Sequence, residues 1–228
     1  MKYDWLLFDL DNTILDFDKA MIFALKKTIA DHEILENEDH LSIYQKINKR
    51  CWEDFENGVI TQDELRILRM RRFLEFINVD KSPIVFAQDY HLNLSSEIFY
   101  LENSKMLLGR WSKQFALVLV TNGLKDIQRA RVAKDDLEKH FHHIVISDEI
   151  GVAKPHTGFF DYVFEKINFP RKEKVMIIGD SLSSDIRGGN NYGIHTCWLN
   201  QNGRVAPEDN LPTFEIGRLE ELTRIIDY

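Results

Sequence analysis

Trp5-Leu6-Leu7-Phe8-Asp9-Leu10-Asp11-Asn12-Thr13 opens with four apolar residues and runs straight into two acids spaced i, i+2. Four apolar residues are strand-length, and on extended backbone an i, i+2 pair shares one face. Four more runs repeat the apolar part of this pattern: Phe115 to Val120, His143-Ile144-Val145-Ile146, Val175-Met176-Ile177-Ile178 and Thr196-Cys197-Trp198-Leu199. Near-continuous apolar runs suit strands covered on both faces. Amphipathic stretches separate the last four runs, at Leu124 to His140, Gly158 to Ile167 and Ser183 to Tyr192. Strands alternating with helices specify an α/β fold around a parallel sheet.

Between the first two runs the pattern changes. From Asp16 to Asn103 the apolar residues recur at helical spacing, as in Ala20-Phe23-Ala24-Lys27, Ile43-Ile47 and Leu65-Leu68-Met70-Phe73-Leu74-Ile77. Asn57-Gly58 and Ser82-Pro83 are turn signals that divide this block. A helical module inserted after the first strand is therefore expected at 16–103, with 1–15 and 104–228 forming the α/β part. Asn202 to Pro212 reads as a surface loop and Arg218 to Tyr228 as a closing helix. The chain carries no internal repeat and no low-complexity segment.

The 228 residues correspond to about 1.5 average domains, one large or two unequal. With 44% hydrophobic and 29% charged residues, wholesale disorder is excluded. The formal charge of −8 argues against a nucleic-acid polymer as partner, because phosphate neutralisation needs a basic face. A small phosphorylated ligand is compatible with it, since a bound metal reverses the local sign. Cys51 and Cys197, the two cysteines, form neither a disulfide framework nor a zinc spacing. No stretch is long and apolar enough to span a membrane, and Asp4, Asp9 and Asp11 do not suit a secretory leader. A cytoplasmic protein without membrane or nucleic-acid partners is expected.

Polar residues collect where the strands end. The first run ends at Asp9 and Asp11, the second at Thr121-Asn122-Gly123, and the fourth at Gly179-Asp180-Ser181-Leu182-Ser183-Ser184-Asp185, while Lys154-Pro155 follows the third. Ligands of open α/β sheets bind at this edge. Each piece alone has an ordinary reading. Asp9 and Asp11 are a polar strand end, Thr121 is a turn or cap residue, Lys154 is a solvated lysine, and Asp180 and Asp185 are a turn acid and a helix-start acid. Their ordered recurrence, each after its own strand, is what those readings leave unexplained, since unpaired carboxylates brought together repel.

This ordered set resembles the haloacid dehalogenase-like (HAD) hydrolase superfamily. Its motifs match Asp9-Leu10-Asp11-Asn12-Thr13, Thr121, Lys154 and Gly179-Asp180 with Asp185. The resemblance implies a Rossmann-like core of strand order 3-2-1-4-5 with an α-helical cap after the first strand. It also implies a set of roles: Asp9 as nucleophile and Asp11 as general acid and base. Thr121, Asn122 and Lys154 would bind phosphate. Asp9, the Asp11 carbonyl and Asp180 would ligate Mg²⁺, with Asp185 behind them. Asp11 favours phosphoryl transfer over dehalogenation, because a halide leaves without a proton. A phosphonatase would need a Schiff-base lysine in the cap, and no motif marks Lys26 or Lys27.

Several stretches are similar to the bacterial pyrimidine-nucleotide 5′-nucleotidases of this superfamily. They are Asp4 to Asp9, Trp52-Glu53-Asp54-Phe55-Glu56-Asn57-Gly58, Ser147 to Pro155 and Thr196 to Asn200. Two positions depart from the pattern: Leu101-Glu102-Asn103-Ser104-Lys105 lacks the Pro-Gly common where the cap returns, and His156 stands where Asp is common. The expected activity is a Mg²⁺-dependent 5′-nucleotidase of small nucleoside monophosphates, pyrimidine ones first. A sugar-phosphate phosphatase or phosphoglucomutase on the same core is the enzymatic alternative, and a non-catalytic phospho-ligand sensor is the alternative of another class. His140, His142 and His143 lack the acid or cysteine that would complete a metal spacing. Trp52, Phe55, Phe73 and Phe76 read either as a base-stacking set or as the cap's own core, and Arg66, Arg69, Arg71 and Arg72 as a solvated helix face.

Overall fold

The structure is a computed structural model describing residues 2–227. The described residues form two compact units, one from residues 2–17 with 99–227 and one from Asp18–Ile98. In the first, six strands make one sheet: β1 (Trp5–Phe8), β2 (Ala116–Thr121), β3 (His143–Ile146), β4 (Val175–Gly179), β5 (His195–Leu199) and β6 (Phe214–Ile216). The order is β3-β2-β1-β4-β5-β6 and every pairing is parallel. The expected order 3-2-1-4-5 is present, and β6 extends it at one edge. Three residues long and alternating Phe-Glu-Ile, β6 offers no apolar run to read.

The apolar runs form strands because both faces are covered. All five residues of β4 are buried, as are five of six in β2. On one face Leu7, Val118, Val120 and Ile177 pack with Phe159, Phe160, Val163 and Phe164 of a helix spanning Thr157–Lys166. Each such side chain contributes about 1.5–3 kcal/mol on burial. The register then sets the working edge. Phe8 lies opposite Leu119 and Ile178, so Asp9 leaves the sheet level with Val120 and Gly179. Thr121 and Asp180 follow one residue further on.

Two expected helices are broken. Leu124 to His140 is a helix over Lys125–Val132 followed by a tighter segment, Lys134–His140, in which Asp135 and Asp136 take φ of 55° and 57°. Aspartate tolerates this left-handed region because its short polar side chain finds local partners; Asp135 pairs with Lys105. Ser183 to Tyr192 begins as a wide turn at Leu182–Ile186, where the amides of Asp185 and Ile186 both donate to the Ser181 carbonyl at 3.1 Å, before a helix at Arg187–Tyr192. The closing segment holds a short helix at Leu222–Ile226; Tyr228 lies outside the described residues. A helix at Ser104–Trp111 leads into β2.

The second unit holds helices Asp39–Glu56, Gln62–Phe76 and Pro83–Ser96 and most of the helix Phe17–Asp31. Of the two turn signals, Asn57-Gly58 ends the helix Asp39–Glu56 and Ser82-Pro83 starts the helix Pro83–Ser96. Thr61 and Glu64 cap each other's backbone, and Ser82 caps the helix whose first residue is Pro83. Tyr44, Phe73, Phe86 and Tyr90 are fully buried and in ring contact, so Phe73 belongs to this unit's core, whereas Phe76 is exposed. Arg69 is not on a solvated face as expected. It is buried, donating from Nη1 to Asn48 Oδ1 at 2.9 Å, with Nη2 3.0 Å from His91 Nε2. Its helical phase matches Leu65 and Phe73, which turns it inward with them. His142 and His143 pack against the Trp5 ring, and His140 lies 3.5 Å from Ser112 Oγ. Among the described residues no helix is long and apolar enough to cross a membrane.

Candidate active site

The carboxyl edge of the sheet gathers Asp9, Lys154, Asp180 and Asp185. Lys154 is the hub: its Nζ donates to Asp9 Oδ1 at 2.7 Å, Asp185 Oδ1 at 2.7 Å and the Val120 carbonyl at 2.8 Å. All three ammonium protons are thereby used, and the side chain is 1% exposed. The solvated-lysine reading therefore fails. Asn122 fixes the Lys154 backbone from both sides, accepting from its N–H at 2.9 Å and donating to its carbonyl at 2.8 Å. The Asn122 side chain is thus committed to positioning Lys154.

Gly179 explains how Asp185 enters. A Cβ at position 179 would lie 2.2 Å from Asp185 Oδ2, so a side chain and this carboxylate cannot share the space. The Ser181 amide donates to the same oxygen at 3.1 Å. Asp180 is held through its backbone: its carbonyl accepts from Trp198 Nε1 at 2.9 Å and from Arg204 Nη2 at 2.8 Å. Carboxylate oxygens of Asp9, Asp180 and Asp185 lie within 4.8 Å of one another.

Three acids against one lysine leave this pocket short of positive charge. Burial, opposed by Lys154 and reinforced by Asp185 and Asp11, pushes the Asp9 carboxyl up to about 7. Burial, then Asp9 and Asp185, pushes Asp180 well above the ordinary carboxylate value. Burial works against the Lys154 ammonium, but Asp185 and Asp9 outweigh it and hold its pKa above the usual lysine value. The donor set is all hard oxygen, the kind that hard divalent cations take.

Asp11 sits on the loop beyond β1. Asn12 adopts a left-handed φ of 57°, and its amide donates to the Leu15 carbonyl at 2.7 Å, folding the loop back on itself. The Asp11 carboxylate turns toward Gln128 and Arg131 of the helix Lys125–Val132. Thr121 is 1% exposed; its oxygen accepts from the Gly123 amide at 3.2 Å and from Gln128 Nε2 at 2.9 Å, leaving its hydroxyl proton to donate. Gln128, Arg131 and Arg204 carry no motif. The signal available for Gln128 and Arg131 was their phase, shared with buried Ile127 and Val132.

Residues 6–199 match the family model described as haloacid dehalogenase-like hydrolase. The chain is 34% identical over 227 residues to the pyrimidine 5′-nucleotidase YjjG of Escherichia coli, covering 99% of each. It is 33% identical over 228 residues to the pyrimidine 5′-nucleotidase PynA of Streptococcus pneumoniae, covering 100% of this chain and 96% of that one. The crystal structure of the HAD-hydrolase YfnB from Bacillus subtilis bound to magnesium superposes with a TM-score of 0.94 at 35% identity, covering 100% of both chains.

Proposed function

Because the chain belongs to the haloacid dehalogenase-like hydrolases, we propose that it is a Mg²⁺-dependent phosphatase of small phosphate monoesters, and specifically a 5′-nucleotidase of pyrimidine nucleoside monophosphates. The observation that carries the proposal is the Asp9–Lys154–Asp185 group with Asp180 beside it at the carboxyl edge of the sheet. The full-length likeness to YjjG and PynA supports the nucleotide class.

In this proposal Asp9, the Asp11 carbonyl and Asp180 hold Mg²⁺, with Asp185 behind them. The buried excess of carboxylate fits such an ion. Bound there, it supplies the positive charge that an in-line phosphoryl transfer needs. The chain's own residues do the rest. Asp9 has one oxygen on Lys154, and the other attacks phosphorus to form an aspartyl-phosphate. Asp11 gives a proton to the departing ester oxygen, then takes one from the water that cleaves the acyl phosphate. Thr121 donates its hydroxyl proton to a phosphoryl oxygen, and Lys154 keeps Asp9 oriented while balancing the charge that collects beside it. The helical unit Asp18–Ile98 is assigned the part of a cap that selects the nucleoside. Buried, unpaired Cys51 and Cys197 suit the reducing cytoplasm.

The test is phosphate release from a panel of phosphorylated metabolites with Mg²⁺, run beside Asp9→Asn. Release concentrated on pyrimidine nucleoside monophosphates and lost in the variant is the expected result. Release mainly from sugar phosphates keeps the chemistry and overturns the substrate class. Ligand binding without release from any ester overturns the enzyme assignment in favour of a sensor.

A further inference from the structure

Two buried side chains outside the recognised motifs converge on Asp11. Gln128 and Arg131 stand three residues apart on one face of the helix Lys125–Val132. Gln128 Nε2 donates to Asp11 Oδ2 at 2.7 Å and also to Thr121 Oγ1 at 2.9 Å. Arg131 Nη1 donates to Asp11 Oδ1 and to Gln128 Oε1, the latter at 2.9 Å. Each Asp11 oxygen therefore has its own donor, and the two donors are tied to each other. The Arg131 side chain is 1% exposed while that of Asp11 is 26% exposed. The clamp is buried and its target is partly exposed.

The surroundings are shaped for this clamp. A Cβ at Gly123 would lie 2.1 Å from Gln128 Nε2, so glycine there admits the amide. The guanidinium carbon of Arg131 lies 5.9 Å from the centroid of the Phe17 ring. A carboxylate on a surface loop ordinarily samples several rotamers. Charge-assisted bonds to two buried, interlinked donors restrict it to one.

We propose that Gln128 and Arg131 are positioning residues that fix the Asp11 carboxyl for proton transfer, and through Gln128 tie it to the phosphate-binding Thr121. The inference rests on the phosphatase reading above. In the step concerned, the Asp9–phosphorus bond forms, the phosphorus–ester oxygen bond breaks, and the Asp11 proton passes to that oxygen. Misplacing Asp11 slows this step only where the leaving oxygen needs the proton.

The test compares kcat/KM for a pyrimidine nucleoside monophosphate with kcat/KM for p-nitrophenyl phosphate, whose leaving group departs without a proton. This parameter reports through ester cleavage, so it is blind to the later hydrolysis of the phosphoenzyme. Arg131→Met and Gln128→Met are each expected to lower the nucleotide-to-nitrophenyl ratio by about 10–100-fold, a part of the roughly 10²–10⁴-fold that a general acid contributes. Gln128→Met, neutral and close in volume, gives the same reading should Arg131→Met fold poorly. An equal loss on both esters marks a merely structural role and overturns the proposal, as does an unchanged or raised ratio. A native chain that releases phosphate from neither ester overturns the phosphatase reading itself, and the positioning role with it.

Discussion

Two buried polar clusters in this molecule carry opposite imbalances of charge. At the sheet edge, Lys154 faces Asp9 and Asp185 directly, with Asp180 beside them, so negative charge is in excess. In the helical unit, Arg69 is buried against Asn48, His91 and the Tyr90 ring, none of them a carboxylate. The first cluster holds carboxyls with raised pKa values; the second is enclosed by aromatic packing around Tyr44 and Phe73, with Arg69 bonded to neutral partners through Nη1 and Nη2 while its Nε has none. Buried charge costs several kcal/mol in either place, and the difference lies in what offsets it. A buried charge packed among rings and bonded to neutral partners can be architecture. A cluster left with surplus like charge implies a ligand.

The comparison breaks most visibly at Lys154. Lys154→Met leaves two buried carboxylates without their cation, and a loss of about 3–5 kcal/mol is expected in urea unfolding without metal. That loss should be larger at pH 8 than at pH 5.5, because protonating the acids relieves the repulsion. A loss below about 1 kcal/mol at both pH values would show that the ion pairs are not what holds this edge together.

Metal addition comes next in size. Asp9 has an ordinary value of 3.8 and a folded value of about 7, so between those pH values the folded chain binds more protons than the unfolded one. Its contribution to metal-free stability therefore falls as pH rises through that window. Mg²⁺ at a hundred times its Kd should restore about 2.7 kcal/mol, with a larger rise in Tm at pH 8 than at pH 5.5. A rise that is equal at the two pH values would separate the ion from these carboxylates.

The smallest effect is expected in the helical unit. Arg69→Met removes the donor to the buried Asn48 Oδ1, at a cost of about 1–3 kcal/mol. Unlike the Lys154 variant, it should leave the Mg²⁺-induced rise in Tm unchanged. A Mg²⁺ response altered as strongly as by Lys154→Met would erase the distinction between the two clusters.

The same contrast explains what was legible in the residues alone. β1, β2, β4 and β5 announce themselves because burial on both faces forces unbroken apolar runs. Asp9, Thr121 and Asp180 stand out because each follows such a run directly. β6 is too short to show, and the wide turn at Leu182–Ile186 depends on contacts of Asp185 that no helical period encodes. Gln128, Arg131 and Arg69 escaped for one reason. Polar residues at buried helix phase look solvated until their partners, distant in sequence, are in place: Asp11 for the first two, Asn48 and His91 for the third.

The most direct measurement is an acid quench of the native chain during turnover of a ³²P-labelled pyrimidine nucleoside monophosphate with Mg²⁺, followed by peptide mapping. Label on Asp9, absent from Asp9→Asn, is the expected result. Turnover that proceeds with no trapped label, or with label on another residue, would contradict the assignment of Asp9 as the nucleophile of this site.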